Sequence, residues 1–175
     1  LQKNGFETML ISGPTNLKSP EGVKILNVNS ANEMYKKTIE NLPVDVAIFT
    51  AAVSDFRVKE INSDKIKKEN LERIDVEKTK DILDYTSKHN KLRPKLVVGF
   101  AAETKNLDQN SRKKLEEKNC DWIVANDISN KKIGFNSDFN EVSIFYKNKN
   151  SEKLKYKPKS EISDEVVEKI INHLN

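Results

Sequence analysis

Apolar residues in this chain gather in short continuous runs rather than in long amphipathic stretches. "VDVAIFTAAV" at residues 44–53 is apolar over the length of a strand, and "KLVVGFAA" and "DWIVAND" repeat the pattern further along. Such runs predict strands covered on both faces. Between them the pattern changes to helical spacing, over about residues 79–89 and about residues 106–119, ending just before Cys120. Upstream, residues 8–12 and 24–28 read as two short strands. A helix comes next, its start marked by Ser30 and Glu33, the two ends of a capping box. Met34, Tyr35, Thr38, Ile39 and Leu42 form its expected buried stripe. At the other end, "SIFYKNKNSEKLKYK" predicts two short strands around a polar turn. A last helix over about residues 160–174 aligns Ile162, Val166, Val167, Ile170, Ile171 and Leu174 on one face.

Strands that alternate with helices and are buried on both faces imply an α/β fold, Rossmann-like and doubly wound. The sheet is expected to be mainly parallel, with the hairpin at its edge and the last helix packed back on it. The opening "LQKNG" reads as the last turn of a helix capped by a left-handed Gly5. The expectation is that the fold's first strand and loop are missing, so that the chain is a fragment. The segment from Arg57 to Lys80 has scattered apolar residues and no strong period, and reads as a long flap.

Composition narrows the function classes. A chain of 175 residues suits one domain, residues 1–175. No apolar run approaches the roughly 20 residues that span a bilayer. The single cysteine agrees with a reducing cytoplasm. His89 and His173 lack metal-ligand spacing. The net charge is +4, but only Arg57, Arg73, Arg93 and Arg112 offer a guanidinium, and acids are interleaved with the lysines. That pattern argues against nucleic-acid binding. Without a G-x-G-x-x-G turn, a dinucleotide oxidoreductase is also disfavoured.

In a parallel sheet, "TAAVSDF", "GFAAET" and "ANDIS" come after strands and meet on one edge, where ligands gather. Ala51, Ala52, Gly99 and Ala101 permit close approach of a ligand, or simply ease turns. Asp55 suits a ribose hydroxyl or a hydrated magnesium ion, or caps the segment after it. Phe100 offers a face for stacking a base, or fills the core; Glu103 adds an acid. Asn126 and Asp127 suit a polar substrate group or a turn. Lys65, Lys67 and Lys68 in "DKIKK", and Lys114 and Lys118 four apart on a helix, supply positive charge. Each has a solvated face as its plainer explanation, for the helical pair beside Glu116 and Glu117.

Taken together, "LISGPTNL", "AAVSDF", "KIKK", "VVGFAAET", "ANDIS" and "GFNSDFN" resemble the bacterial phosphopantothenate-cysteine ligase family in order and spacing through nearly the whole chain. The resemblance implies activation of the 4'-phosphopantothenate carboxylate by CTP and magnesium to an acyl-cytidylate, then amide formation with L-cysteine in coenzyme A biosynthesis. It places nucleotide contacts on Phe49, Thr50, Ala51, Asp55, Lys65, Phe100, Lys114 and Lys118, with Lys65 catalytic. It places substrate contacts on Ala51 and Asn126, and assigns Asp55 as a metal ligand. Lys67 and Lys68 become electrostatic support. The turn of Lys78, Thr79 and Lys80 replaces a usual Lys-Asn-Pro, and Phe56 stands where tyrosine is common. The resemblance further implies a homodimer, built through the flap or the hairpin, and in longer relatives fusion to a flavin-dependent decarboxylase. That half and its flavin are not expected in this chain, and reduced or absent turnover is expected of it. An ATP-using relative and a non-catalytic nucleotide-binding or scaffold module are the alternatives.

Overall fold

The computed structural model describes residues 1–60, 73–129 and 137–175. The core is a five-stranded sheet in the order β3-β6-β7-β8-β9, made of β3 (Val46–Phe49), β6 (Leu96–Glu103), β7 (Trp122–Asp127), β8 (Phe139–Tyr146) and β9 (Ser151–Pro158). The pairs β3·β6 and β6·β7 are parallel, and β7·β8 and β8·β9 antiparallel. This is the mainly parallel α/β arrangement that the alternating pattern implies. Leu96, Val97 and Val98 of β6 and Ile123, Val124 and Ala125 of β7 are wholly inaccessible, as continuous apolar runs in central strands require.

Two layers of helix cover the sheet. On one face Leu96, Val98, Trp122 and Val124 pack with Ile162, Val166 and Ile170 of α4 (Lys159–Leu174). On the other, Val97, Ala101, Ile123 and Ala125 pack with Leu83 of α2 (Ile82–Ser87) and with Leu107 and Leu115 of α3 (Leu107–Glu117). α1 (Ala31–Glu40) begins at Ser30, whose Oγ accepts from Glu33 N–H as the capping pattern predicts, while the Glu33 carboxylate reaches one residue further back and accepts from Asn29 N–H rather than from Ser30. Gly5 closes a 3-10 turn over Gln2–Asn4 with φ 85°, the left-handed cap expected.

Several expectations need correction. β3 is packed on both faces, by Val46 and Ile48 on the α4 side and Phe49 on the other, but it ends the five-stranded sheet, so each of its residues is only half-buried. β1 (Met9–Ser12) and β2 (Lys24–Asn27) pair in parallel with each other as a separate sheet. Of the α1 stripe only Tyr35 is buried, because α1 packs on α2 and β1 rather than on the main core. α2 starts later than residue 79, since Asp81 caps it. The hairpin strands are not short but eight residues each, and a register shift lies between Asn140 and Val142. The flap is not without regular structure either. β4 (Phe56–Val58) and β5 (Val76–Lys78) form an antiparallel ribbon at its base, held on one face by the Arg57–Glu77 ion pair. Lys65, Lys67 and Lys68 lie outside the described residues.

Below the amino ends of β6 and β7, Arg93 joins four segments. Its guanidinium meets the Asp121 carboxylate at 2.9 Å and donates to the carbonyls of Ser87, Pro94 and Asn119. Asp121 Oδ2 also accepts from Val97 N–H at 2.7 Å. Beside it Cys120 is fully buried, and burial pushes its thiol up to about 12. Thiolate, the reactive form, is therefore scarce at neutral pH. In the native protein at pH 8 Cys120 is expected to resist alkylation by iodoacetamide and to react at the rate of a free thiol in denaturant. Rapid native labelling, read by mass spectrometry, contradicts this packing.

Candidate functional site

β3, β6 and β7 are parallel, so their carboxyl ends share one edge of the sheet, although Gly99 to Glu103 and Ala125 to Asp127 lie inside β6 and β7 rather than after them. β3 stops at Phe49, opposite Gly99, so β6 continues past it with one side unpaired among the described residues. Into that gap reaches Lys114, whose Nζ donates to the Phe100 carbonyl at 3.3 Å. One turn along α3, Lys118 Nζ lies 2.7 Å from Asp81 Oδ2. Neither lysine pairs with Glu116 or Glu117 in the way an ordinary exposed face would; it is Lys113 that faces Glu117. Lys114 and Lys118 are half-buried and both act on Asp81, Lys114 reaching β6 and Lys118 the start of α2.

Asp81 binds on both sides. Oδ1 accepts from Asp84 N–H at 2.8 Å as the cap of α2, while Oδ2 takes Lys118. Burial works to raise its pKa, but the backbone hydrogen bond and Lys118 outweigh that and hold the carboxyl below its usual range. The hydrogen bond to Asp81 raises Lys118 above the ordinary lysine value against the opposing effect of burial. The pair is therefore fully ionised at neutral pH.

The loop after β3 is tied to the turn before α2. Thr79 N–H donates to the Asp55 carbonyl at 2.9 Å, and Thr79 Oγ1 donates to the Ser54 carbonyl. This brings Asp55 beside the Lys78–Thr79–Lys80 turn; Thr50, Ala51 and Asp55 are all exposed. Lys80 Nζ sits 4.5 Å from the centre of the Tyr35 ring. Phe49 packs against the α2 and α3 core, so its side chain is structural and its backbone is what the edge can use.

Other expected residues divide between packing and binding. A Cβ on Gly99 would lie 2.9 Å from Leu83 Cδ2 and 2.8 Å from Ile123 Cδ1, and Ala101 is buried; these small residues let α2 and α3 approach the sheet rather than admit a ligand. Phe100 is partly buried against the α4 side of the core, and what reaches the edge is its carbonyl. Glu103 is engaged by Asn110 at the start of α3. Asp127 starts a turn: the Ser129 hydroxyl and N–H both donate to it and lower its pKa. Asn126 behaves differently. Opposite Ala102 on β6, its Oδ1 is buried and has no hydrogen-bond partner among the described residues, an acceptor left for a ligand donor.

Asp81 was not singled out by the sequence, and Thr79 only as one member of a turn. The Asp81-x-x-Asp84 spacing is a helix-start signal, but nothing local tells that the other oxygen meets Lys118. Among the described residues no cluster of three or more potential metal ligands occurs. Asp55 is exposed, and its carboxylate oxygens are hard ligands of the kind magnesium takes.

The whole of this frame matches one family: residues 1–174 fit the DNA/pantothenate metabolism flavoprotein C-terminal domain. The chain belongs to that family. It is 42% identical over 171 residues to the coenzyme A biosynthesis bifunctional protein CoaBC of Haemophilus influenzae, covering 97% of this chain and 42% of the relative. To the CoaBC of Bacillus subtilis it is 37% identical, over 95% of this chain and 41% of the relative. It thus spans about two fifths of the length of these curated relatives. Among solved structures, the C-terminal domain of a CoaBC superposes with a TM-score of 0.77 at 35% identity, over 99% of this chain and 77% of that one. A DNA/pantothenate metabolism flavoprotein from Streptococcus pneumoniae superposes at 0.79 with 22% identity, a likeness of fold.

Proposed function

We propose that this family member carries the amide-forming step of coenzyme A biosynthesis, joining 4'-phosphopantothenate to L-cysteine with CTP as activator. In this reading the carboxylate attacks the α-phosphorus of CTP and pyrophosphate leaves, giving an acyl-cytidylate. The cysteine amine then attacks the acyl carbon and CMP leaves as the amide forms. The reading rests on family membership and on one feature above all: Lys114 reaches the Phe100 carbonyl past the end of β3 while Lys118 reaches Asp81, two residues after the Thr79 turn that is bonded to Asp55.

The chemistry demands cations there. A carboxylate approaching a triphosphate accumulates negative charge, and preorganised ammonium groups in a partly desolvated edge oppose it. Lys114 supplies one. Lys65, outside the described residues, is assigned to the transferring phosphorus. Asp55, with a magnesium ion neutralising the phosphates, is assigned to the same end of the nucleotide. The unpartnered Asn126 Oδ1 suits a donor on the acyl substrate.

With the natural polypeptide that carries this chain, CTP, phosphopantothenate and cysteine are expected to give stoichiometric pyrophosphate, CMP and amide. Faster pyrophosphate release with ATP overturns the nucleotide assignment, and absence of amide with either overturns the ligase. Lys65→Gln is expected to slow acyl-cytidylate formation roughly a hundredfold or more, the scale of losing one preorganised donor. An equal effect on thermal unfolding would mark that lysine as structural.

A homodimer is part of the proposal. The β4–β5 ribbon turns Phe56, Val58 and Val76, with Ile74 just before them, to one side, and all four are exposed. A two-stranded ribbon is marginal alone, so an apolar face of this kind calls for a cover. Self-association through it fits the expectation that the flap takes part in pairing. Analytical ultracentrifugation of Val58→Asp is expected to show monomers where the parent shows dimers; a dimer that persists places the contact elsewhere.

A further inference from the structure

The Asp81–Lys118 pair has a geometry that the ligase reading leaves unexplained. Lys118 is the residue that ends α3, and its carbonyl is held by Ser87 Oγ at the far end of α2. From there its side chain runs back along α2, and its ammonium reaches Asp81 at the helix start. A lysine free to rotate loses much conformational freedom when a ligand orders it. Here the ordering is done beforehand by a carboxylate that is itself fixed, since its other oxygen caps α2. An ammonium has three donors, so one on Asp81 leaves two for an anionic ligand.

We propose that Asp81 is the positioning residue for Lys118: it holds the ammonium, oriented and charged, at the carboxyl edge for the phosphates of a nucleoside triphosphate. This rests on the nucleotide reading above. Asp81 itself carries a negative charge beside a polyanion site, so its role is not attraction. It spends part of the local positive charge to fix where the rest of it sits. The half-exposed surroundings keep that electrostatic cost small.

The test uses the natural polypeptide, magnesium-CTP titrated calorimetrically, and Asp81→Asn. The amide oxygen preserves the α2 cap but loses the anion. The dissociation constant for CTP is expected to rise roughly three- to tenfold, the loss of one partly exposed charged contact, with the thermal midpoint unchanged. Asp81→Glu is expected to recover part of the affinity. In a Lys118→Met background Asp81→Asn is expected to change nothing further. Long-range charge alone predicts the opposite sign, because removing an anion tightens polyanion binding. Unchanged or tighter binding by Asp81→Asn therefore overturns the proposal, as does an equal loss with and without Lys118. Lys118 acetylation separates the two layers: it is expected to be slow in the parent and fast in Asp81→Asn with no ligand present. A parent that shows this shielding but binds neither CTP nor ATP overturns the nucleotide reading, and the proposed ligand with it.

Discussion

Arg93 and Asp121 meet at the amino ends of β6 and β7, and that contact sets the position of both site helices. Arg93 draws in the carbonyls that end α2 and lie just past α3, through Ser87 and Asn119, while Asp121 fixes the start of β6 through Val97 N–H. Asn119 Nδ2 adds a second bond to the Ser87 carbonyl, and Ser87 Oγ reaches Lys118. The two partners keep only 24% and 18% of their side-chain exposure, so both are mostly withdrawn from water. Such a pair is stable only when the remaining donors and acceptors are satisfied, and here the neighbouring backbone satisfies them. The clamp lies at one end of the sheet and the candidate site at the other. A rigid α2 and α3 carry the constraint between them.

With the lower ends pinned, close packing sets the upper ends. Gly99 leaves space for Leu83 of α2, and Leu115 of α3 packs into the layer with Val97 and Ile123. Lys114 then falls within reach of the Phe100 carbonyl, and Lys118 within reach of Asp81. The small residues within β6, which suggested close approach of a ligand, serve that approach indirectly. They bring the helices in, and the helices bring the charges.

What was legible in the sequence depended on how local its cause is. The central strands announced themselves because burial on both faces forces continuous apolar runs, and α4 because its Ile162, Val166 and Ile170 repeat at helical spacing. The cap at Ser30 is a four-residue signal, and its forward bond to Glu33 N–H is the one the pattern predicts. β3 misled because edge and centre strands share composition. The ribbon of β4 and β5 escaped because three-residue strands flanked by charges carry no period. For the site, the lysine positions were named through family likeness, whereas Asp81 and the clamping role of Arg93 were not. Their contacts are long-range, and no spacing rule links them to Lys118 or Asp121.

A cavity of about 500 Å³ opens at the opposite end of the sheet, lined by Trp122, Tyr146, Lys147 and His173, and it is the natural rival to the carboxyl edge as a ligand site. One measurement decides between them: magnesium-CTP titrated into the isotopically labelled protein, with amide chemical shifts as the readout. Saturable shifts are expected at Thr50 to Asp55, at Phe100 and at the start of α2, with Trp122, Tyr146 and Lys147 undisturbed. Shifts confined to Trp122, Tyr146 and Lys147, or none at the start of α2, would contradict a nucleotide site at the carboxyl edge.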